Sequence, residues 1–388
     1  MKDRRWLPAL FLLVLAAMTI RLVVTLAEPA IDEGAYGDFR DAVYAPTNAL
    51  LDGVDPYDVD AFLAYYPDAG NAFAPYAPHH LLLSIPLAVL PHGAAGIIWW
   101  TVNVALLLAL SGFVVKRVRP DWAAPGLFGV ATVALLSNPG RFNFLTGQPA
   151  LAIVLGAYLA FTSSNRWAAA GGTMLALLKP QFGIPLLVLL VASGRWRTTV
   201  DGAGLAGLLA LPVVVALIFI DDGPSDVLRA VGNNLDSSTG AVVSSFRIDL
   251  AGTIARWADV RIPLVVQVLI FLAAVGLGAW LIRRWGRIDA VTMSVIGLVT
   301  LLSLFHLPYD ELILLWPAVA LATSDCGLGK WRWWAIGAMT AAAFNPLTVR
   351  FFDLGDGLDT VTTLLLLVAL AAVATGILTR PRLSELPA

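Results

Sequence analysis

Four short polar stretches interrupt a mostly apolar chain, and each holds residue types able to do chemistry. The first is Gly37-Asp38-Phe39-Arg40-Asp41-Ala42-Val43-Tyr44. A carboxylate within hydrogen-bonding reach of a hydroxyl can take its proton, so Asp38 and Asp41 are candidate general bases and Arg40 a candidate anion partner. Other acids crowd the same segment, from Glu28 to Asp68, and solvated loop acids would read the same way. The second stretch is Ala176-Leu177-Leu178-Lys179-Pro180-Gln181. A lysine at the centre of a membrane span costs about 2.5–3.5 kcal/mol or more, and Pro180 removes a backbone donor and invites a helix break. A broken helix carrying Lys179, with Gln181 beside it, can hold an anion such as a phosphate. The plain alternative is a lysine snorkelling to the interface.

The third stretch is Phe144-Leu145-Thr146-Gly147-Gln148-Pro149, where glycine allows close approach and Gln148 offers both donor and acceptor. By itself it reads as a turn. The fourth is Phe305-His306-Leu307-Pro308-Tyr309-Asp310-Glu311. Its acids suit the first turn of a helix, where the macrodipole favours negative charge, and His306 alone is a weak catalytic candidate.

The elements that position these stretches follow from composition. The chain has 388 residues, 59% hydrophobic and 13% charged, about half the charged share of a soluble domain. Runs at 7–26, 97–115, 205–220, 263–282 and 362–378 hold few or no charges. Roughly 20 such residues cross the hydrocarbon layer as a helix, and in lipid the backbone must satisfy its own hydrogen bonds. The expectation is therefore a single all-α, polytopic membrane domain over 1–388. Twelve spans are predicted, with a range of eleven to thirteen, at 6–26, 94–115, 124–138, 149–163, 167–178, 182–194, 200–220, 261–282, 289–304, 310–323, 332–345 and 359–378. The apolar piece 80–90, bounded by prolines, is only half a span long and is expected to be interfacial or re-entrant.

Basic residues favour the cytoplasmic side. Placing Lys2, Arg4 and Arg5 there also places Lys116/Arg117/Arg119, Arg195/Arg197, Arg283/Arg284/Arg287, Lys330/Arg332 and Arg380/Arg382 there, while most acids fall outside. Arg21 falls within a span and Lys179 at the break between 167–178 and 182–194. Both termini are then cytoplasmic, and the outer side carries segments 27–93, 221–260 and 346–358. The first bears aromatics (Phe62, Tyr65, Tyr66, Phe73, Tyr76) suited to short helices on the membrane surface. The first apolar run is too long for a cleaved signal peptide. With no basic patch or zinc-like Cys/His set, nucleic-acid binding and structural zinc are not expected. The single Cys326 excludes an internal disulfide.

On this layout the first, third and fourth polar stretches share the outer face, and Lys179 sits at the outer end of its spans. A carboxylate, a cation and polar side chains at one membrane face suit a lipid-phosphate substrate. They would also suit a transporter or lipid flippase. Transporters often carry internal repeats and a midplane site; no repeat is present here, which favours an enzyme.

In order along the chain, several motifs resemble glycosyltransferase family 87. These are Asp38-Phe39-Arg40, then Ala49-Leu50-Leu51-Asp52-Gly53-Val54-Asp55-Pro56-Tyr57-Asp58. Tyr76-Ala77-Pro78-His79 with Pro86-Leu87-Ala88-Val89-Leu90-Pro91 follows, then Gly147-Gln148, Leu178-Lys179-Pro180 with Gly194-Arg195-Trp196-Arg197, and Tyr309-Asp310. Ala77 departs from the family's Tyr-Pro-Pro, and Pro149 follows Gln148 where an asparagine often comes near. The resemblance implies a GT-C-like membrane enzyme that uses a polyprenyl-phosphate sugar, mannose or arabinofuranose, and a lipid or glycan acceptor. It implies inverting transfer at the extracytoplasmic face of the cell membrane, with Asp38 as base and Asp41 the alternative. Lys179, with Arg40, would bind the donor phosphate. Gln148, Gln181, His306, Tyr309 and Asp310 would bind sugar or phosphate oxygens. Tyr76, His79 and His80 would line the lipid groove. The scheme requires neither a metal nor another cofactor.

Overall fold

The computed structural model describes residues 6–27, 36–69, 73, 76–238, 247–324, 326–344 and 358–380. The basic residues Lys2, Arg4, Arg5 and Arg382, the acids Glu28, Asp32 and Glu33, and the outer segment 346–357 lie outside the described residues. All regular structure among the described residues is helical.

Each apolar stretch picked out above coincides with a helix. In chain order these are α1 (Trp6–Thr25), a composite α2 (37–51), α3 (Val59–Tyr65), α4 (Pro78–Ala88), α5 (His92–Val118) and α6 (Ala123–Leu136). There follow α7 (Asn138–Thr146), α8 (Ala150–Thr162), α9 (Arg166–Ala176), α10 (Pro180–Ala192), α11 (Trp196–Ile220) and α12 (Pro224–Ser238). Last come α13 (Leu250–Ala258), α14 (Leu264–Trp285), α15 (Ala290–Ser303), α16 (Leu315–Thr323), α17 (Trp331–Ala343) and α18 (Leu358–Leu378). The stretch expected as a helix over 310–323 is not one regular element. Pro308–Leu314 is a 3-10 segment running into α16, stabilised where Tyr158 Oη donates to Ile313 O (2.7 Å) and accepts from Trp316 N (3.0 Å).

Four helices among the described residues are long and apolar enough to cross a membrane: α5, α11, α14 and α18. Their outward faces are apolar as well. Phe219 is 80% exposed and Leu264 72%, a surface that suits lipid and not water. The remaining apolar helices are shorter and more enclosed. All fourteen residues of α15 are buried, as expected for a helix apolar all round. It packs against α10, α14, α16, α18 and the 3-10 segment, so the centre of the bundle lies there.

Close helix crossings come from small residues. At the α8–α9 contact a methyl group added to Gly156 would lie 2.6 Å from Gly172 O, and one added to Gly172 would lie 2.5 Å from Gly156 O. Bare backbones meet here, the small-residue packing common between membrane helices. This crossing sets α9, and hence the turn to Lys179, against the helix that begins just after Gln148.

The 36–93 segment builds a cap. Short helices form (α2, α3, α4), but Phe62, Phe73 and Tyr76 turn inward and are buried with Tyr57, Leu81, Val213 and Leu217 in a second core. Tyr57 Oη donates to Tyr76 O (2.6 Å), and Asn234 Nδ2 of α12 donates to Phe73 O (2.8 Å). The piece 80–90 falls mostly in α4, whose eleven residues extend about 16 Å. It packs along α11 and α2, with His80 Nε2 2.9 Å from Ala42 O.

The crossing makes an opposed pair of predictions. Gly171→Ala, whose new methyl meets nothing within 4 Å, gains helix propensity and raises the melting temperature in detergent. Gly172→Ala lowers it, because the backbone contact cannot accommodate a methyl. Equal shifts in one direction would show that the crossing is not tight.

Candidate active site

The site begins at a glycine. Helix α7 ends on Gly147, whose φ of 79° is left-handed and costs glycine little. A methyl group there would lie 2.6 Å from Phe39 Cβ and 2.7 Å from the Tyr36 ring. Its absence lets the start of α2 press onto the turn, and Trp99 Nε1 holds Gly147 O at 2.7 Å. Asp38 is thereby set against Thr146 and Gln148, both within hydrogen-bonding reach of its carboxyl. A π turn, Arg40–Tyr44, follows at once, a helix irregularity frequent at functional sites.

Gln148 is buried, and its Oε1 accepts from Tyr76 Oη at 2.8 Å. That bond fixes the amide's orientation and leaves the Nε2 hydrogens available as donors. Burial is the main influence on Asp38 and pushes its pKa above the ordinary carboxylate range. The contacts from Thr146 and Gln148 and the positive charge of Lys179 pull it back, while Asp41 adds to the rise.

Lys179 caps the start of α10 and is buried. Its Nζ lies 3.1 Å from Asp310 Oδ1, with 4% and 1% of the two side chains exposed. The ammonium also sits over the ring of Tyr309 at 4.3 Å and is 5.6 Å from that of Tyr76. The other Asp310 oxygen accepts from Leu307 N at 3.1 Å, so one acid both starts the 3-10 segment and neutralises the lysine. Removing one partner of such a buried pair costs roughly 3–5 kcal/mol.

His306 is fully buried. Its Nδ1 lies 2.9 Å from Leu304 O, its ring meets Phe182 edge-on at 4.8 Å, and Nε2 has no partner among the described residues. Burial holds its pKa down, so the ring is neutral near pH 7. With Nδ1–H donating to the carbonyl, Nε2 is left as an acceptor.

Asp38, Gln148, Tyr76, Lys179, Tyr309 and Asp310 thus form one connected cluster, with His306 at its edge. Of the remaining candidates, His80 touches the cluster through Tyr76 and the others lie around it. Arg40 binds Asp41 through Nε (2.6 Å) and Nη2 (3.2 Å), and Tyr66 and Asp68 lie within its field. Gln181 is half-buried in the first turn of α10. His79 Nε2 is 3.1 Å from Met174 O, and His80 stacks on Tyr76 at 4.6 Å; desolvation lowers both pKa values, His80 to about 4.

Sequence reasoning missed Thr146 and the buried pair Arg247–Asp249. In that pair Nε and Nη2 each lie 2.8 Å from a carboxylate oxygen. Arg247 sits 5.3 Å from the Phe305 ring centroid, and Ile248 N donates to His306 O at 3.0 Å. The signal available was Arg-Ile-Asp before an apolar helix; Asp249 caps α13 by accepting from Gly252 N. No group of three or more His, Cys, Asp or Glu side chains among the described residues has the arrangement to hold a metal ion.

A model of glycosyltransferase family 87 matches residues 73–308. The chain belongs to this family. Membership makes the protein a membrane glycosyltransferase, consistent with its apolar helices. The match takes in Tyr76, His79, His80, Gln148, Lys179, Gln181 and His306; Asp38, Asp41, Tyr309 and Asp310 lie outside it. No curated protein and no solved structure matches the chain.

Two outcomes follow for this glycosyltransferase. Gln148→Leu removes a contact that favours the Asp38 carboxylate, so the acid limb of the pH–rate profile moves to higher pH. A limb that stays in place would show that another group titrates. Gly147→Ala displaces Asp38 from the turn and lowers the rate by more than about tenfold, measured beside an unchanged far-ultraviolet circular dichroism spectrum.

Proposed function

We propose that the protein transfers a mannose-like sugar from a polyprenyl-phosphate donor to a hydroxyl of a lipid or glycan acceptor. The transfer takes place at the extracytoplasmic face, with inversion, in a GT-C-like bundle of about twelve spans whose termini are cytoplasmic. The observation that carries this reading is the joining of Asp38 to Lys179 through Gln148 and Tyr76. A base and a cation held together in a membrane enzyme meet the two demands of such a transfer.

The acceptor oxygen bonds to the anomeric carbon while the bond from that carbon to the phosphate oxygen breaks. The acceptor proton passes to Asp38, and the leaving phosphate takes the electron pair. A positioned base contributes about 10²–10⁴-fold. Its raised pKa suits that task, provided the working pH lies above it. The developing phosphate charge falls to Lys179, whose cation is pre-placed in a water-poor setting. Its ammonium is shared between Asp310 and the Tyr309 ring, which leaves one of its three N–H donors for a phosphate oxygen. Gln148, Tyr309 and the acceptor nitrogen of His306 orient hydroxyls. Arg40 and Gln181 lie further from the reacting atoms, where the donor's remaining oxygens pass. Tyr76, His79 and His80, with α4, border the path of the polyprenyl chain. The mechanism needs no metal or other cofactor.

Asp38→Asn is expected to lower transfer from a polyprenyl-phosphate mannose by about 10² or more, with expression and melting temperature unchanged. Asp41→Asn retains more activity, because its carboxylate is occupied by Arg40. Full activity in Asp38→Asn would remove it as the base and pass the role to Asp41. Lys179→Met alone destabilises by stranding Asp310; Lys179→Met/Asp310→Asn recovers the fold yet binds donor more weakly than acceptor. Equal weakening for donor and acceptor would make the lysine structural.

A further inference from the structure

Four helical segments that start or end at the Asp38–Lys179 cluster have their other ends together. Helix α8 runs from beside Gln148 to Thr162, and α10 from Lys179 toward Arg195. Helix α15 runs from Asp289 toward His306, and 308–323 runs from Asp310 to Ser324. At those far ends lies a cavity of about 680 Å³, some 20 Å from the cluster by the length of a 13-residue helix.

Four arginines line it, each from a different part of the chain: Arg117 at the end of α5, Arg195 before α11, Arg287 before α15 and Arg380 after α18. Among the described residues none of the four makes an ion pair. They are held by neutral groups instead. Arg117 lies 3.9 Å over Phe113 and donates to Thr162 Oγ1 at 2.7 Å. Arg195 donates to Phe161 O (2.9 Å) and Ser163 O (2.5 Å), and its buried Nε has no partner. Arg287 and Arg380 lie 4.6 Å and 5.4 Å from Trp285. The one carboxylate among the described residues of the wall, Asp289, keeps its charge, since it accepts only from neutral donors: Trp285 Nε1 at 2.9 and 3.0 Å and the backbone of Val291 and Thr292.

Arg117, Arg287 and Arg380 are exposed and Arg195 is half-buried, yet all four line one concavity. Among the described residues that concavity sets four positive charges against the single negative charge of Asp289. Such a field draws an anion, and the planar fork of guanidinium matches phosphate oxygens in pairs. The volume fits a headgroup or a small ester. We infer that this cavity is a second anion site, at the membrane face opposite the transfer site, and that it takes a phosphate group. That phosphate is presented by a phospholipid headgroup or by a soluble phosphate. Bound there, it ties together the loop ends of α5, α10, α14 and α18.

The test uses the full chain. Its melting temperature is measured in nanodiscs of phosphatidylcholine with and without phosphatidylglycerol, and in detergent with inorganic phosphate against chloride at matched ionic strength. A rise with phosphatidylglycerol alone assigns a lipid headgroup, and a rise with inorganic phosphate assigns a soluble one. No rise with either overturns the site. In Arg287→Gln/Arg380→Gln the half-saturating concentration is expected to increase about thirtyfold, at two removed charges near the surface; an unchanged value also overturns it. Native mass spectrometry of the wild-type protein stands independently of that variant's folding. Retention of one phosphatidylglycerol or phosphate in preference to phosphatidylcholine supports the site, and retention without preference refutes it.

Discussion

A lysine ammonium taken out of water needs a carboxylate, and the carboxylate needs hydrogen bonds of its own. Lys179 finds the first in Asp310, 3.1 Å away, and Asp310 finds the second in Leu307 N. The two residues are 131 positions apart in sequence, so their pairing joins the start of α10 to the 3-10 segment across the middle of the bundle. Tyr309 follows because it neighbours Asp310, and Tyr76 because Ala77 N bonds to Leu178 O at 2.9 Å. Gln148 and Asp38 are reached through Tyr76. The rest of the site is ordered around a charge that would be intolerable alone.

Much of this was legible in the chain because hydrophobic run length is a local property. Stretches such as 200–220 and 261–282 declared helices without reference to anything distant. The Pro180 break was legible for the same reason, since proline acts on its own turn. Asp38, Gln148, Lys179 and Tyr309 each stood out, but nothing local tied Gln148 to Asp38 or Lys179 to Asp310. Those links depend on close approaches: Gly147 to Tyr36 and Phe39, and Gly156 to Gly172. The aromatics of 36–93 misled in a different way. Phe62 and Phe73 have the composition of membrane-surface residues, but their burial depends on α11 and α12, which come well over a hundred residues later. Arg247 and Asp249 went unnoticed because sequence cannot show that each is the other's buried counterion.

The polar residues also divide the labour cleanly. Gln148 has its acceptor oxygen committed to Tyr76 and its amide hydrogens available as donors, so its orientation is set before substrate arrives. His306 has one nitrogen committed to Leu304 O and the other uncommitted. Arg40 and Asp41 satisfy each other, so of the two acids in that stretch it is Asp38 whose environment is unbalanced: desolvated by protein and only partly compensated. An imbalance of that kind is a common mark of a working group.

The inner helices carry a consequence for the bilayer itself. Helices α8 and α10 have thirteen residues each, about 20 Å, against a hydrocarbon thickness near 30 Å. Helix α5, which packs against α8, has twenty-seven, enough to pass through and project beyond. Helices long enough to span therefore stand beside enclosed ones that are not. On the proposed function, inner helices about 10 Å short of the hydrocarbon thickness would let a long-chain donor bring its phosphate to Lys179 below the headgroup plane, with little need to be lifted out of the membrane.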